Sequence, residues 1–230
     1  MNQLQTPAII LSRTDFGEAD RILTMLTPEQ GKVRLMARGV RRVKSKLAGG
    51  IELFSISQLT YLSGKGDIGT LISARLEKHY GRIVQDIDRT MLGYDLIRLI
   101  NKNTEDSPES DYFDLLLLGF AALDEPGINT ELIRLWFTAH LIRLGGHTPN
   151  LSTDMAGDRL TTEHSYNFDI DAMTFTPFNP ARFSADHIKV LRLLFSGAQP
   201  QVIQQVRGLD ELLPEVSLLV KTLAQNQLRV

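Results

Sequence analysis

The hydrophobic pattern of the chain changes near residue 78, and this change most limits the folds open to it. Before that point, short strand-length runs alternate with turn sequences. The runs are Pro7 to Arg13, Arg21 to Thr27, Lys32 to Arg38, Glu52 to Leu62 and Thr70 to Leu76. Five short strands with regular turns predict a small closed barrel, and the OB-fold is the commonest five-stranded solution.

Beyond residue 78, apolar residues recur at helical spacing. The predicted helices cover Ile83 to Leu99, Phe113 to Leu123, Leu132 to Leu144, 185–196 and 209–227, with Thr130 and Ser184 as N-caps. Between 146 and 182 the pattern is poor, and a hairpin is expected around Tyr166 to Phe175. The sequence therefore predicts an α+β chain: an OB-fold domain at 1–78, then a mainly helical domain at 79–230 with an irregular insert at about 146–182.

Composition excludes several classes of protein. The chain has no cysteine, so it forms no disulfide, thiolate metal site or thiol nucleophile. Its longest apolar run, Leu115 to Leu123, falls well short of the roughly 20 residues that span a bilayer. No basic segment precedes the short apolar run at the N-terminus. We expect a soluble, cytoplasmic protein without membrane contact.

Charge is distributed unevenly along the chain. Residues 1–78 carry 12 basic and 7 acidic side chains, whereas residues 79–230 carry 13 and 20. Within the first part, residues 31–50 hold seven Lys or Arg and no acid. So many like charges close together are unfavourable unless an anionic partner binds, although a charged run is also typical of a plain solvated face.

Strand alternation predicts where these cations lie. On one face of the third strand are Lys32, Arg34, Met36 and Arg38, and on the other are Val33, Leu35 and Ala37. The remaining cations follow on a loop or short helix, so the basic face continues beyond the strand. The candidate residues for binding a polyanion such as a nucleic acid are Lys32, Arg34, Arg38, Arg41, Arg42, Lys44 and Lys46.

Aromatic side chains that could stack on bases are scarce in this region. Phe16, Phe54, Tyr61 and Tyr80 are the candidates before residue 81, and Phe54 and Tyr61 also fit a core. We therefore expect contacts with the nucleic-acid backbone to dominate, which would make binding salt-sensitive and poor in sequence information.

Four short motifs in this region resemble the RecO family of bacterial recombination mediators. They are Gly17-Glu18-x-Asp20-Arg21, Thr27-Pro28-Glu29-x-Gly31, Ala37-Arg38-Gly39-x-Arg41 and Leu53-Phe54. A fainter likeness continues to Leu144-Gly145-Gly146 and Pro149-x-Leu151. The resemblance implies an N-terminal OB-fold and a helical C-terminal domain. It also implies binding of single- and double-stranded DNA, annealing of complementary strands and, with RecR, assistance to RecA in replacing single-strand-binding protein; engagement of RecF is left open.

The chain departs from the family in one respect. Many relatives carry two Cys-x-x-Cys pairs that form a zinc module, and the first pair would fall here on Asp154 and Gly157. His147 and His164 are the nearby imidazoles, and four good zinc ligands cannot be assembled from these residues. We predict no metal and no other cofactor. The segment is instead expected to be a loop held by Phe168, Phe175 and Phe178.

Residues Gly64 to Gly69 match the pattern G-x-G-x-x-G of nucleotide sites. The residues on either side alternate like strands, so a hairpin turn is favoured over a pyrophosphate site. The alternative that the protein is a nucleotide-dependent enzyme rests on this motif alone, and no catalytic residues are predicted. A second alternative is a protein adaptor that binds no DNA and docks its basic face on an acidic partner.

The third predicted helix carries more apolar residues than one core stripe requires. Helix packing explains most of this excess. The functional alternative is an apolar groove edged by Arg134 and Arg143, suited to an acidic and aromatic peptide such as the C-terminal tail of single-strand-binding protein.

Overall fold

The computed structural model describes residues 2–63, 66–104 and 110–229. The chain forms two compact units, Met1–Pro126 and Gly127–Val230. The first holds β1 (Gln3–Phe16), β2 (Asp20–Thr27), β3 (Gly31–Ala37), β4 (Ser55–Leu62), β5 (Ile68–His79), α1 (Ile87–Asn103) and α2 (Ser110–Leu123). The second holds α3 (Thr130–Leu144), β6 (Tyr166–Asp169), β7 (Thr174–Pro177), α4 (Ala185–Leu194), α5 (Pro200–Ile203) and α6 (Leu209–Gln227).

The five N-terminal strands close into a barrel in the order β1-β2-β3-β5-β4. Neighbouring strands are antiparallel except β3 and β5, which pair in parallel from Arg34 opposite Ile68 to Met36 opposite Thr70. Alternate apolar residues fill the barrel, among them Ile10, Leu23, Met25, Leu35, Leu59 and Leu71. This arrangement confirms the predicted α+β chain that begins with an OB-fold.

Helices α1 and α2 pack on the barrel through aromatic rings. Phe54, in the left-handed backbone region at φ 53°, places its ring edge-on to Tyr94 of α1 and Phe120 of α2. Tyr80 also contacts Phe120. Gly93 leaves the space that the Phe54 ring occupies, since a Cβ there would lie 2.6 Å from Phe54 Cε1. The first compact unit therefore extends to Pro126, beyond the change from strands to helices at residue 79.

In the second unit, α3 is buried along most of its length and packs against α4 and α6. Asn129 caps α3 by accepting hydrogen bonds from the backbone of Glu131 and Leu132, so the cap lies one residue before the predicted Thr130. Trp136 Nε1 donates to Ala198 O at 2.8 Å. Among the helices of the described residues, none is both long enough and apolar enough to cross a membrane.

The insert contains the predicted hairpin, with Phe168 opposite Phe175. Phe175 is fully buried among Tyr166, Phe168 and Phe183. Phe178, by contrast, is 57 % exposed, so the expectation that it helps to hold the segment is wrong. Phe183, which bridges to Tyr166 from outside the hairpin, takes that place.

Candidate nucleic-acid interface

Strand β3 carries its apolar and basic residues on opposite faces, as the alternation predicts. Leu35 and Ala37 are 1 % and 0 % exposed in the barrel interior. Arg34 lies on the outer surface, opposite Thr24 of β2 and Ile68 of β5. The hydrogen-bonded neighbours on both sides fix the register of β3, and with it the direction in which the Arg34 side chain points.

Lys32 differs from the other candidate cations because α1 engages it. Its Nζ donates to Asn101 O, 3.2 Å away in the last turn of α1. An ammonium group there satisfies a carbonyl at the helix end and complements the negative end of the helix dipole. Lys32 therefore has a structural role in joining β3 to α1, which the sequence pattern did not indicate.

The other cations lie on the segment that follows β3, which we call the basic loop and define as residues 38–47. Arg38, Arg41, Arg42, Lys44 and Lys46 are all exposed there. Short turns order the backbone: Arg42 N donates to Gly39 O, and Ser45 N donates to Arg42 O. Gly39 has φ +65°, a conformation that favours glycine at this turn.

Hydrogen bonds fasten the basic loop to the turn between β1 and β2. Gly39 N donates to Asp20 Oδ1 at 2.7 Å, and Arg41 N donates to Ala19 O at 2.9 Å. The Arg41 side chain adds a third bond, from Nη1 to Gly17 O at 3.2 Å. We call residues 15–21, at the turn between β1 and β2, the hairpin tip. The hairpin tip and the basic loop therefore form one surface, although about 20 residues separate them in the chain.

Acidic groups compensate only part of the positive charge. Asp15 accepts a hydrogen bond from Arg21 Nε at 2.7 Å and lies 3.5 Å from Arg41 Nη2. The hydrogen bond from Arg21 and the charge of Arg41 hold the pKa of Asp15 below its ordinary value. Five of the cations on β3 and the basic loop form no ion pair with a carboxylate of the described residues: Arg34, Arg38, Arg42, Lys44 and Lys46.

Burial separates the four aromatic residues considered as base-stacking candidates. Phe54, Tyr61 and Tyr80 are between 1 % and 4 % exposed and belong to the core. Phe16, at the end of β1, is 53 % exposed. It adjoins Gly17, whose carbonyl binds Arg41 of the basic loop.

A groove of about 380 Å³ lies beside β3, at the barrel end near the glycine motif. Lys32, Arg34, Tyr61, Ser63 and Asp67 are among its lining residues. Gly64 and Lys65 of the motif fall outside the described residues. Gly69 belongs to β5, which pairs antiparallel with β4, so a strand follows the motif where a pyrophosphate site would need a helix N-terminus.

Arg134 and Arg143, the candidate peptide-binding residues, both lie on α3. Nine residues separate them, about two and a half turns, so they lie on opposite sides of the helix. Arg134 Nε is 3.8 Å from Glu131 Oε2, whereas Arg143 is exposed near the C-terminal end. Although burial raises the pKa of Glu131, hydrogen bonds from Lys221 and Ser217 outweigh it and bring the pKa below its ordinary value.

The positions that would correspond to a zinc-binding pair are occupied by a hydrogen-bonded turn. Asp154 is buried, and one carboxylate oxygen accepts the N–H groups of Ala156 and Asp158, each at 2.9 Å. Gly157 completes the turn with φ +90°. His147 and His164 are exposed. In the part of the chain that the structure describes, no three His, Asp or Glu side chains are grouped so as to hold a metal ion.

Comparison with known proteins gives consistent matches. Residues 1–80 match the family model described as recombination protein O N terminal. The chain is 33 % identical over 151 residues to DNA repair protein RecO of Dehalococcoides mccartyi, covering 65 % of this chain and 59 % of the relative. For the protein of the same name from Roseiflexus sp., identity is 33 % over 164 residues, covering 71 % of this chain and 57 % of the relative. For the protein of the same name from Heliobacterium modesticaldum, identity is 32 % over 153 residues, covering 66 % of this chain and 55 % of the relative.

The matched part of the chain thus spans between 55 % and 59 % of the length of these three relatives, less than two thirds. The family model covers the whole barrel, including β3 and the basic loop. The four motifs noted in the N-terminal part of the sequence lie within that region: Gly17 to Arg21 lies at the turn between β1 and β2, and Ala37 to Arg41 runs from the end of β3 into the basic loop. On these matches, residues 1–80 belong to the family described as recombination protein O N terminal, and about two thirds of the chain is similar to DNA repair protein RecO.

Proposed function

We propose that the protein is a DNA-binding recombination mediator in DNA repair, without catalytic activity of its own. The observation that carries this proposal is the group of exposed cations on β3 and the basic loop of an OB-fold that form no ion pair with the carboxylates the structure describes. Strand faces and connecting loops are where OB-folds bind oligonucleotides. The names of the relatives, DNA repair protein RecO, agree with this role.

The physical mechanism is neutralisation of phosphate charge. Two complementary strands repel each other through their backbones, and Lys or Arg side chains that bind phosphates release condensed counterions and reduce that repulsion. Arg34, Arg38, Arg42, Lys44 and Lys46 pair with no carboxylate among the described residues, so none of these carboxylates has to be displaced before they bind. The same surface would accept single- and double-stranded DNA, because both present a phosphate backbone. Phosphate contacts carry no direct sequence information. Annealing follows if two strands are held on it together.

The proposed partners follow from the similarity to the RecO family. We propose that the protein acts with RecR to load RecA onto DNA coated with single-strand-binding protein, with RecF as a further candidate partner. The helical unit would bind the acidic tail of single-strand-binding protein. Arg143 is the better placed of the two arginines for that contact, since it is exposed and Arg134 already lies beside Glu131.

The proposal is tested by annealing complementary strands coated with single-strand-binding protein. The informative variant is Arg42→Ala/Lys44→Ala/Lys46→Ala. It removes three cations that have no ion pair within the described part of the chain, and it leaves in place Arg41, which binds the hairpin tip. We expect annealing to slow by about tenfold or more, because phosphate contacts supply most of the affinity.

The matched control is Arg98→Ala/Lys189→Ala/Arg207→Ala, which removes three exposed positive charges elsewhere. It should anneal at the wild-type rate. Equal slowing by both variants would mean that total charge, and not the basic loop, governs annealing. A wild-type protein with negligible DNA affinity at low salt would contradict the proposal and favour an adaptor whose basic face docks on an acidic protein.

A further inference from the structure

Phe16 is a large apolar side chain in a polar setting. It is the last residue of β1, pairs with Asp20 across the hairpin, and is 53 % exposed. Its neighbours at the hairpin tip include Asp15 and Glu18, both exposed. Phe54, Tyr61 and Tyr80 of the same unit are buried. The turn itself needs Gly17 at φ +60°, and nothing in its geometry requires an aromatic residue before the glycine.

Arg41 holds the two residues on either side of Phe16. Its Nη1 donates to Gly17 O at 3.2 Å, and its Nη2 lies 3.5 Å from Asp15 Oδ2. Arg21 holds Asp15 from β2 at 2.7 Å. The backbone that carries the ring is therefore ordered before any ligand arrives, which lowers the entropy cost of binding.

The segment that carries the ring is also joined to the segment that carries the phosphate-binding candidates. The bonds Gly39 N to Asp20 Oδ1 and Arg41 N to Ala19 O join the hairpin tip to the basic loop. Single isolated apolar residues are ordinary on protein surfaces. An exposed aromatic residue joined to a cluster of exposed cations is the combination by which proteins bind single-stranded nucleic acid, with rings under bases and cations along the backbone.

We propose that Phe16 stacks against an unpaired base of single-stranded DNA while the basic loop holds the neighbouring phosphates. This inference rests on the proposed DNA-binding function. It adds a preference for single strands, because the bases of a duplex are already stacked on one another and are not accessible to the ring. The stacking tolerates any sequence, since every base has a π-face.

The test compares binding of a labelled oligothymidylate and of a mixed-sequence duplex of equal length by fluorescence anisotropy. Phe16→Ala should weaken single-strand binding about 5- to 150-fold, equivalent to ~1–3 kcal/mol for one stacked base. Duplex binding should change by less than about twofold. The dependence of affinity on salt should keep the wild-type slope, because the phosphate contacts remain.

Two further variants separate stacking from a structural effect. Phe16→Trp should retain single-strand affinity, and its added indole fluorescence should be quenched by the oligonucleotide, whereas Trp136 is buried. Phe16→Leu should lose affinity as the alanine variant does, because leucine is apolar but has no π-face. Thermal melting should show that all three variants keep the wild-type fold.

Distinct results would overturn the inference. Equal weakening of single-strand and duplex binding by Phe16→Ala would mean that the ring only supports the hairpin. Full affinity in Phe16→Ala or Phe16→Leu would mean that no base stacks on it. Wild-type protein that binds neither DNA at low salt would instead contradict the proposed function itself, so the two failures are distinguishable.

Discussion

His140 is a buried titratable residue whose surroundings favour its neutral form. Its Nδ1 lies 2.9 Å from Trp136 O, and its ring is tilted against the Trp136 ring. Burial lowers the pKa of His140, and repulsion from Arg143 acts in the same direction; together they outweigh the hydrogen bond to the Trp136 carbonyl, which raises it. At pH values near the ordinary pKa of histidine, His140 is therefore less protonated in the folded protein than in the unfolded chain.

We expect the free energy of unfolding to fall as the pH drops from 7.5 to 5. In that window the unfolded state binds more protons at His140 than the folded state does, so stability decreases with falling pH. The loss at pH 5 is at most about 2 kcal/mol for one histidine with an unfolded pKa near 6.5. Urea titrations at several pH values would measure it.

The matched variant is His140→Gln. Its free energy of unfolding should depend less steeply on pH than that of the wild type, whatever its absolute stability. Some dependence should remain, because burial also lowers the pKa of His187, against the attraction of Glu215 and Asp186. The carboxylates with lowered pKa values, Asp15, Glu131 and Asp186, lose their contribution only at more acidic pH. Parallel curves for the two proteins would refute the assignment to His140.

Helix α1 approaches the barrel closely because residue 93 has no side chain. Glycine inside a helix normally costs about 1 kcal/mol relative to alanine. At this site the order is reversed, since an alanine Cβ would meet the Phe54 ring at 2.6 Å, and that ring is itself held by Tyr94 and Phe120. The close contact sets how near α1 lies to Phe54, the residue that directly precedes β4.

We predict that Gly93→Ala destabilises the protein by about 1–3 kcal/mol, as overpacking does, where helix propensity alone predicts a gain. Equilibrium unfolding in urea would measure the change. In a double-mutant cycle with Phe54→Leu, the two effects should be far from additive, because leucine leaves room for the methyl group. A stabilising Gly93→Ala would show that α1 does not pack as described.

Features set by local periodicity could be predicted, and those set by distant contacts could not. The alternation of Arg34 and Leu35 follows from a period of two, so the sequence placed both on the correct face of β3. The engagement of Lys32 depends on Asn101, 69 residues away, and the fastening of Arg41 depends on Gly17 and Asp15. No local pattern encodes these pairs. The spacing of Arg134 and Arg143 did hold a usable signal, since nine residues place them on opposite sides of a helix.

The two compact units carry different parts of the proposed activity. The first joins the OB-fold to α1 and α2, because Phe54 and Tyr80 of the barrel region pack on Phe120. The change from strand to helix periodicity at residue 78 does not predict that packing. The formal net charge of the whole chain is only −2, and this sum does not indicate that β3 and the basic loop carry cations unpaired by any carboxylate of the described residues. Local charge density, and not total charge, governs attraction to DNA at physiological salt.

The salt dependence of single-stranded DNA binding tests the central claim most directly. If Arg34, Arg38, Arg42, Lys44 and Lys46 each contact one phosphate, log affinity should fall with log salt with a slope of about −3.5, from ~0.7 per contact. In Arg42→Ala/Lys44→Ala/Lys46→Ala the slope should shrink to about −1.4, and in Arg98→Ala/Lys189→Ala/Arg207→Ala it should stay at the wild-type value. A wild-type slope near zero, or a slope that the basic-loop variant leaves unchanged, would contradict the claim.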